Sequence, residues 1–256
     1  MNNKSPKPYL LFDAGGTLVF PNHSLLAQIA HDVGIQTTRD ELFEIHCGQV
    51  HAADHHSRQH GCLINVWPGG YTRTLFEGLG VNNGALQSIV KIADEHDRRQ
   101  NLWASTFPWM TQTLAQLALQ GYRMAVISNA DGRAEQILID LELRPYFERV
   151  FDSHIMGVRK PDKTIFEIAL NELNLDPADA IYIGDVFFID AWGANQAELG
   201  CIHLDPLGLY AGWPGAHIPT VQHLPDWLSR YDANAARSDL FAIKDFPLSF
   251  DNKLFA

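Results

Sequence analysis

The sequence has few cysteines, no cluster of cations and no long apolar run, and each shortage excludes a class of protein. Three cysteines among 256 residues are too sparse for a disulfide-stabilised scaffold. No run of lysine or arginine exceeds two residues, and 30 acidic against 19 basic side chains give a net charge of −11. We therefore expect no nucleic-acid partner and no membrane partner. Without a stretch of ~20 apolar residues for a membrane span, we expect a cytoplasmic protein.

The size and apolar content of the chain indicate a packed α/β protein. At 256 residues it is long enough for a large domain or for a core with an accessory module, and 46% hydrophobic residues can fill such a core. Short, continuous apolar runs predict strands covered on both faces. They lie at residues 9–12, 123–127, 150–151, 180–183 and 201–204.

Helical patterns alternate with these strands beyond about residue 105. Leu114, Leu117 and Ala118 share one helix face, Pro161 is expected to open a second helix, and a third is expected over 188–198. Alternating strands and helices predict a doubly wound sheet of five parallel strands with right-handed crossovers.

The stretch between the first two strands has a different pattern. Residues 20–103 show no convincing strand, but apolar stripes at 25–33 and 86–93 repeat at helical spacing. We predict an all-helical insertion there, within a discontinuous core of residues 1–19 and 104–231. Residues 225–230 are expected to form a short helix, and 232–256 a tail.

Polar residues follow three of the predicted strands. Asp13 follows the first strand, Ser128-Asn129 the second and Asp185 the fourth. Because parallel strands end at one edge of the sheet, these side chains are expected to meet there around a ligand. Gly15 and Gly16 allow a sharp backbone turn and a close approach beside Asp13.

Four segments in a fixed order resemble the haloacid dehalogenase-like hydrolase superfamily. They are Phe12-Asp13-Ala14-Gly15-Gly16-Thr17-Leu18, Ile127-Ser128-Asn129, Arg159-Lys160-Pro161-Asp162, and Gly184-Asp185 with Asp190 and Gly193-Ala194. The resemblance covers residues 9–204 and implies a Rossmann-like sheet, with 20–103 as the helical cap of one subfamily. It implies a phosphatase acting on a small phosphorylated molecule.

The resemblance also implies roles for individual residues. Asp13 corresponds to the nucleophile that forms an aspartyl-phosphate. Lys160 corresponds to the cation that pairs with Asp13 and the phosphate, while Asp190 holds Lys160 or a metal-bound water. Phosphate contacts are expected from Ser128, Asn129 and Gly16. The Mg²⁺ ligands are expected to be Asp13, Asp185 and the carbonyl oxygen of Gly15.

One position departs from the pattern of the family. Its phosphatases usually carry a second aspartate two residues after the nucleophile, which protonates the leaving group and later activates water. This chain has Gly15 there. General acid–base catalysis contributes roughly 10²–10⁴-fold, so the sequence predicts a slow phosphatase or one with another proton donor.

That departure leaves three alternatives open. A 2-haloacid dehalogenase needs no metal and usually has tyrosine at this position, and Asp185 and Asp190 would repel a haloacid carboxylate. A phosphonoacetaldehyde hydrolase needs a cap lysine, but the chain has none between Lys7 and Lys91. A non-catalytic binding or regulatory protein on the same frame is the third alternative.

The predicted cap is rich in histidine. His46, His51, His55, His56 and His60 fall within fifteen residues, and two pairs are spaced four apart. A solvated or half-buried helix face is the favoured interpretation. A zinc site and a histidine that faces Asp13 and supplies the missing proton are the two functional hypotheses.

Overall fold

The computed structural model describes residues 7–231, 237–240, 243 and 245–248. They divide into two compact units, one within Met1–Val19 and Thr106–Phe246 and the other within Phe20–Ser105 and Pro247–Ala256. Most of the predicted tail over 232–256 lies outside the described residues.

The second unit is built from helices, as the stripes at 25–33 and 86–93 predict. Its helices are α1 (His23–Asp32), α2 (Arg39–His60), α3 (Tyr71–Gly78) and α4 (Asn83–Gln100). Their apolar faces pack around fully buried side chains such as Leu26, Leu42 and Phe76. At the two ends of the inserted segment, Phe20 and Ser105 form an isolated antiparallel β-bridge.

A parallel sheet forms the centre of the first unit. Its strand order is β3-β2-β1-β4-β5-β6, and β1 lies between β2 and β4 in the middle of the sheet. Every residue of β1 is buried, which explains its continuous apolar sequence. The strands are β1 (Tyr9–Phe12), β2 (Met124–Ser128), β3 (Val150–Asp152), β4 (Ala180–Gly184), β5 (Gly200–Leu204) and β6 (Ala216–Ile218).

The predicted α/β fold is confirmed, but in the described part of the chain the sheet has six strands rather than five. The additional strand, β6, pairs with β5 through only three residues. It includes the half-buried His217 and lies in a segment rich in glycine and proline. The strand contains no continuous apolar run, so the sequence pattern does not predict it.

Helices flank the sheet, and the helices predicted to open at Pro161 and to span 188–198 differ from expectation. The helix expected to open at Pro161 begins at Lys163, because the Asp162 side chain accepts the amide of Thr164 and caps it. The helix expected over 188–198 is a π-helical turn at Phe187–Trp192 followed by a short α-helix. The helices are α5 (Met110–Leu119), α6 (Ala134–Asp140), α7 (Ser153–Met156), α8 (Lys163–Leu173), α9 (Gly193–Gln196), α10 (Leu224–Ser229) and α11 (Arg237–Leu240).

A buried carboxylate shapes the loop after β2. Asp152 ends β3 and accepts backbone amides from Gly132 at 3.0 Å, Ala134 at 3.2 Å and His154 at 2.9 Å. These bonds tie the loop that follows Ser128 to the neighbouring strand.

Among the helices of the described part of the chain, none is both long and apolar enough to cross a bilayer.

Candidate active site

Three neighbouring strands bring polar side chains to one edge of the sheet. Asp13 follows β1, Ser128 ends β2, and Asp185 follows β4, and all three are buried. The parallel register places these strand ends side by side, since Phe12 pairs with Val126 on one side and Ile183 on the other. The convergence predicted from the sequence is therefore present in the fold.

The buried ammonium group of Lys160 lies at the centre of this cluster. Its Nζ donates to Asp13 Oδ1 and to Asp190 Oδ1, each at 2.7 Å, and to the hydroxyl of Tyr182 at 2.8 Å. The Lys160 side chain is 1% exposed and that of Asp190 is fully buried. Removing a charge from water is costly unless it is paired and hydrogen-bonded. The Lys160 ammonium is both paired with carboxylates and fully hydrogen-bonded.

The side chain of Asn129 fixes the backbone that carries Lys160. Its Nδ2 donates to the Lys160 carbonyl at 2.9 Å, and its Oδ1 accepts the Lys160 amide at 2.8 Å. Asn129 follows β2, so this pair of bonds joins the strand end to the lysine segment. The side-chain amide of Asn129 is occupied in this way, and its predicted phosphate contact through the backbone stays a prediction.

Asp190 reaches the cluster from the π-helical turn at Phe187–Trp192. Its second oxygen, Oδ2, accepts the amide of Val186 at 3.0 Å. The carboxyl group packs directly on Gly184, where an added Cβ would lie 2.4 Å from Asp190 Cγ. Glycine at this position is therefore required by the close approach of the carboxylate.

The turn after Asp13 packs tightly against Asp185. Gly16 has a φ of +80°, and a Cβ there would lie 2.1 Å from Asp185 Oδ2. The Gly16 amide donates to the Val19 carbonyl at 2.8 Å, which closes the turn. Thr17 donates its hydroxyl to Asp185 Oδ1 at 3.1 Å. The phosphate contact predicted for Gly16, like the metal contact predicted for the Gly15 carbonyl, stays a prediction.

Burial and the closeness of the three carboxylates both act on the pKa values of the cluster. Burial raises the pKa of Asp13 to about 6, although Lys160 opposes the rise. Burial, followed by the charge of Asp13, raises the pKa of Asp185 well above its usual range. Burial alone would lower the pKa of Lys160, but Asp13 and Asp190 outweigh it and the pKa rises.

The three carboxylates are suited to a hard divalent cation. One oxygen from each of Asp13, Asp185 and Asp190 lies within 4.8 Å of the other two. When all three carboxyl groups are ionised, Lys160 compensates for only one of the three negative charges, and a divalent cation would balance the other two. Carboxylate oxygens are the ligands that Mg²⁺ prefers, usually one or two together with water and substrate oxygens. The residues present therefore fit this metal.

Two buried side chains support the site although sequence reasoning did not single them out. Tyr182, in the middle of β4, contacts Lys160, and His203 in β5 donates from Nε2 to the Asp185 carbonyl at 2.9 Å. Their only sequence signal is a polar group within an otherwise apolar strand. The strand pattern alone does not show which neighbours such a group contacts.

The histidines of the helical unit have two different environments. His46 is buried on α2 with its Nδ1 3.2 Å from the Tyr71 hydroxyl, and His23 Nε2 lies 2.6 Å from the same oxygen. Burial lowers the pKa of His46 to about 3 and that of His23 to about 4, so both are neutral at pH 7.

The other four histidines of α2 lie on partly or fully exposed positions, as the favoured interpretation of a solvated helix face requires. They are His51, His55, His56 and His60. Among the acidic, histidine and cysteine side chains of the described residues, those that lie close enough together to bind a metal in a group of at least three are Asp13, Asp185 and Asp190. This cluster contains no histidine. A proton donor from the cap stays a prediction.

The chain belongs to the haloacid dehalogenase-like hydrolases, because the model of that family matches residues 9–198. The predicted resemblance is thus confirmed. The chain is 28% identical over 222 residues to the mouse haloacid dehalogenase-like hydrolase domain-containing protein 3, covering 82% of this chain and 86% of that protein. It is 35% identical over 93 residues to the glyceraldehyde 3-phosphate phosphatase of Pyrococcus furiosus, covering 36% of this chain and 39% of that protein.

A solved structure has the same fold. A magnesium-bound hydrolase of this superfamily from Bacillus subtilis aligns with 88% of this chain and all of its own, with a TM-score of 0.57 and 18% identity. At this identity the likeness concerns the fold alone.

The carboxylate cluster predicts that stability depends jointly on pH and Mg²⁺. A carboxyl group whose pKa is higher in the folded than in the unfolded protein stabilises the fold below its ordinary pKa and loses that contribution as the pH rises through the folded value. For Asp13 this window runs from 3.8 to about 6. Thermal unfolding of the metal-free protein should therefore show a Tm that falls across this window.

Mg²⁺ should reverse this loss, because it binds the ionised carboxylates of the folded protein. We expect it to raise the Tm clearly at about pH 8 and little at about pH 5. Asp185→Asn should abolish the increase, whereas Asp140→Asn, at an exposed position on α6, should retain it. An equal increase at both pH values would contradict this account of the cluster.

Proposed function

We propose that this protein is a Mg²⁺-dependent phosphatase that hydrolyses small phosphate monoesters through an aspartyl-phosphate on Asp13. The observation that carries the proposal is the bonding of Lys160 to Asp13 and Asp190 beside the buried Asp185. The partial similarity to an archaeal phosphatase supports the same reaction class. The helical unit, inserted after β1, is proposed to be the cap that selects the substrate.

The two oxygens of Asp13 suggest how the nucleophile works. Oδ1 accepts from Lys160 Nζ and from the Ala14 amide, each at 2.7 Å. We assign the attack on phosphorus to Oδ2. A bond then forms between Oδ2 and phosphorus, the ester P–O bond breaks, and the departing oxygen takes a proton from water to give the free alcohol. Water attacks the aspartyl-phosphate in the second step, releasing inorganic phosphate and restoring the carboxylate.

Ser128 and the Asn129 amide are proposed to bind phosphoryl oxygens at the end of β2, where they would stabilise charge that develops in the transition state. Asp13, Asp185 and the Gly15 carbonyl are proposed to hold the metal. When bound, Mg²⁺ supplies positive charge that offsets repulsion between the carboxylates and the phosphate. Asp190 keeps Lys160 in place.

The test of the nucleophile is Asp13→Asn. The amide has nearly the same shape but is a poor nucleophile, so turnover of p-nitrophenyl phosphate with Mg²⁺ should fall at least about 10³-fold. Asp140→Asn controls for an aspartate outside the site and should retain activity. Retained turnover in Asp13→Asn would remove Asp13 from the mechanism.

The same assay separates the alternative functions. Chloride release from a 2-haloacid without metal would favour a dehalogenase. Tight binding of a phosphate ester without turnover would favour a regulatory protein.

Glycine at position 15 predicts a strong dependence on the leaving group. Without an acid there, p-nitrophenyl phosphate, whose leaving group needs little protonation, should turn over much faster than an alkyl phosphate. Gly15 has no positive φ and is partly exposed, so a side chain there would meet no left-handed backbone strain.

Gly15→Asp should therefore raise kcat for the alkyl phosphate by about tenfold or more, toward the roughly 10²–10⁴-fold of general acid catalysis, with little gain for the p-nitrophenyl ester. Gly15→Asn is the matched control without an acid. Equal rates on the two esters in the unchanged protein would show that another group already donates the proton.

A further inference from the structure

The three protons of the Lys160 ammonium group are all used within the protein. Two are donated to the carboxylates of Asp13 and Asp190, and the third goes to the hydroxyl oxygen of Tyr182 at 2.8 Å. An ammonium group has three donors and no acceptor. Tyr182 is therefore the one uncharged partner of the group, and the position of the ammonium depends on three fixed oxygens.

The hydroxyl of Tyr182 is itself fixed by the sheet. It donates to the Ile127 carbonyl at 3.0 Å, and Asp190 Oδ1 lies 3.3 Å away. Ile127 directly precedes Ser128 at the end of β2. The tyrosine side chain is fully buried and meets the ring of Phe166 edge to face at 5.1 Å, so neither its ring nor its hydroxyl is free to reorient.

We propose that Tyr182 is a positioning residue, whose hydroxyl holds the Lys160 ammonium at the point where it bridges Asp13 and Asp190. Without that oxygen one buried N–H would lack its acceptor, and the ammonium would shift toward whichever carboxylate or water could satisfy it. The nucleophile would then lose its alignment while the fold persisted. The inference rests on the proposed function, because alignment matters only if Asp13 attacks phosphorus.

The chain offers a matched control for the loss of this hydroxyl. Tyr9 is also a buried tyrosine of the sheet, and its hydroxyl also lies within hydrogen-bond distance of a carbonyl of β2, that of Met124 at 3.3 Å, and of a carboxylate oxygen, Glu148 Oε2 at 3.2 Å. It lies at the start of β1, whereas the catalytic cluster lies beyond the end of that strand. Tyr9→Phe thus removes a comparable sheet hydrogen bond without touching Lys160.

In the kinetic test, Tyr182→Phe should lower kcat about tenfold to a hundredfold, the range expected when a hydrogen bond to a charged group is lost. KM should change little, because Tyr182 is not assigned to the substrate. Tyr9→Phe should leave kcat unchanged while lowering the Tm to a similar extent. If the two variants have equal kcat, Tyr182 is a packing residue and the proposal is wrong.

A second measurement does not depend on turnover, so it distinguishes failure of this inference from failure of the proposed function. Proton NMR of ¹⁵N-labelled lysine should show Lys160 ammonium protons that exchange slowly with water, with a nuclear Overhauser contact to the Tyr182 hydroxyl proton. Lys163, whose side chain is 56% exposed, is the internal reference for fast exchange.

Tyr182→Phe should accelerate exchange at Lys160, and Tyr9→Phe should not. If Tyr182→Phe fails to fold, the unchanged protein decides the question: the Overhauser contact supports the proposal, and its absence or fast exchange overturns it.

Discussion

The site depends on one buried ammonium group shared between two aspartates. Lys160 is held between Asp13 and Asp190 at 2.7 Å from each, in surroundings where neither an unpaired amine nor an unpaired carboxylate is tolerated. Each of the three residues comes from a different part of the chain, and the sheet brings them together. Asn129 fixes the lysine backbone, while the glycine at position 184 leaves room for the Asp190 carboxylate. Both features allow Lys160 to lie between the carboxylates of Asp13 and Asp190.

Much of this arrangement can be predicted from sequence because it depends on strand periodicity. A buried parallel strand is visible as an apolar run, and the residue after its last position lies at a known edge of the sheet, so the sequence alone groups Asp13, Ser128 and Asp185. The sequence does not predict β6, because its residues, Ala216–Ile218, include a polar histidine and form no continuous apolar run. It predicts the π-helical turn that carries Asp190 as an ordinary helix, since its residues are equally apolar and only the backbone geometry distinguishes the two.

Contacts made across the sheet are the part that sequence does not reveal. Tyr182 and His203 lie within apolar strands, and their partners, the Lys160 ammonium and the Asp185 carbonyl, are 22 and 18 residues away. Position 15 is the opposite case, because the sequence alone shows how it departs from the family pattern. The glycine there has no carboxyl group to act as an acid. With glycine there, the proposed phosphatase keeps the groups proposed to bind and attack a phosphoryl group but lacks the acid that usually protonates the departing alcohol.

The central claim is that one lysine, one divalent cation and the carboxylate of Asp13 share a single phosphoryl group. The most direct measurement is a crystal structure of the protein with Mg²⁺ and beryllium fluoride, which mimics a phosphoryl group attached to an aspartate. The account predicts the fluoride adduct on the Asp13 carboxylate, the metal beside Asp13 and Asp185, and the adduct in contact with Ser128. An adduct on another residue, or a metal bound away from the three carboxylates, would contradict it.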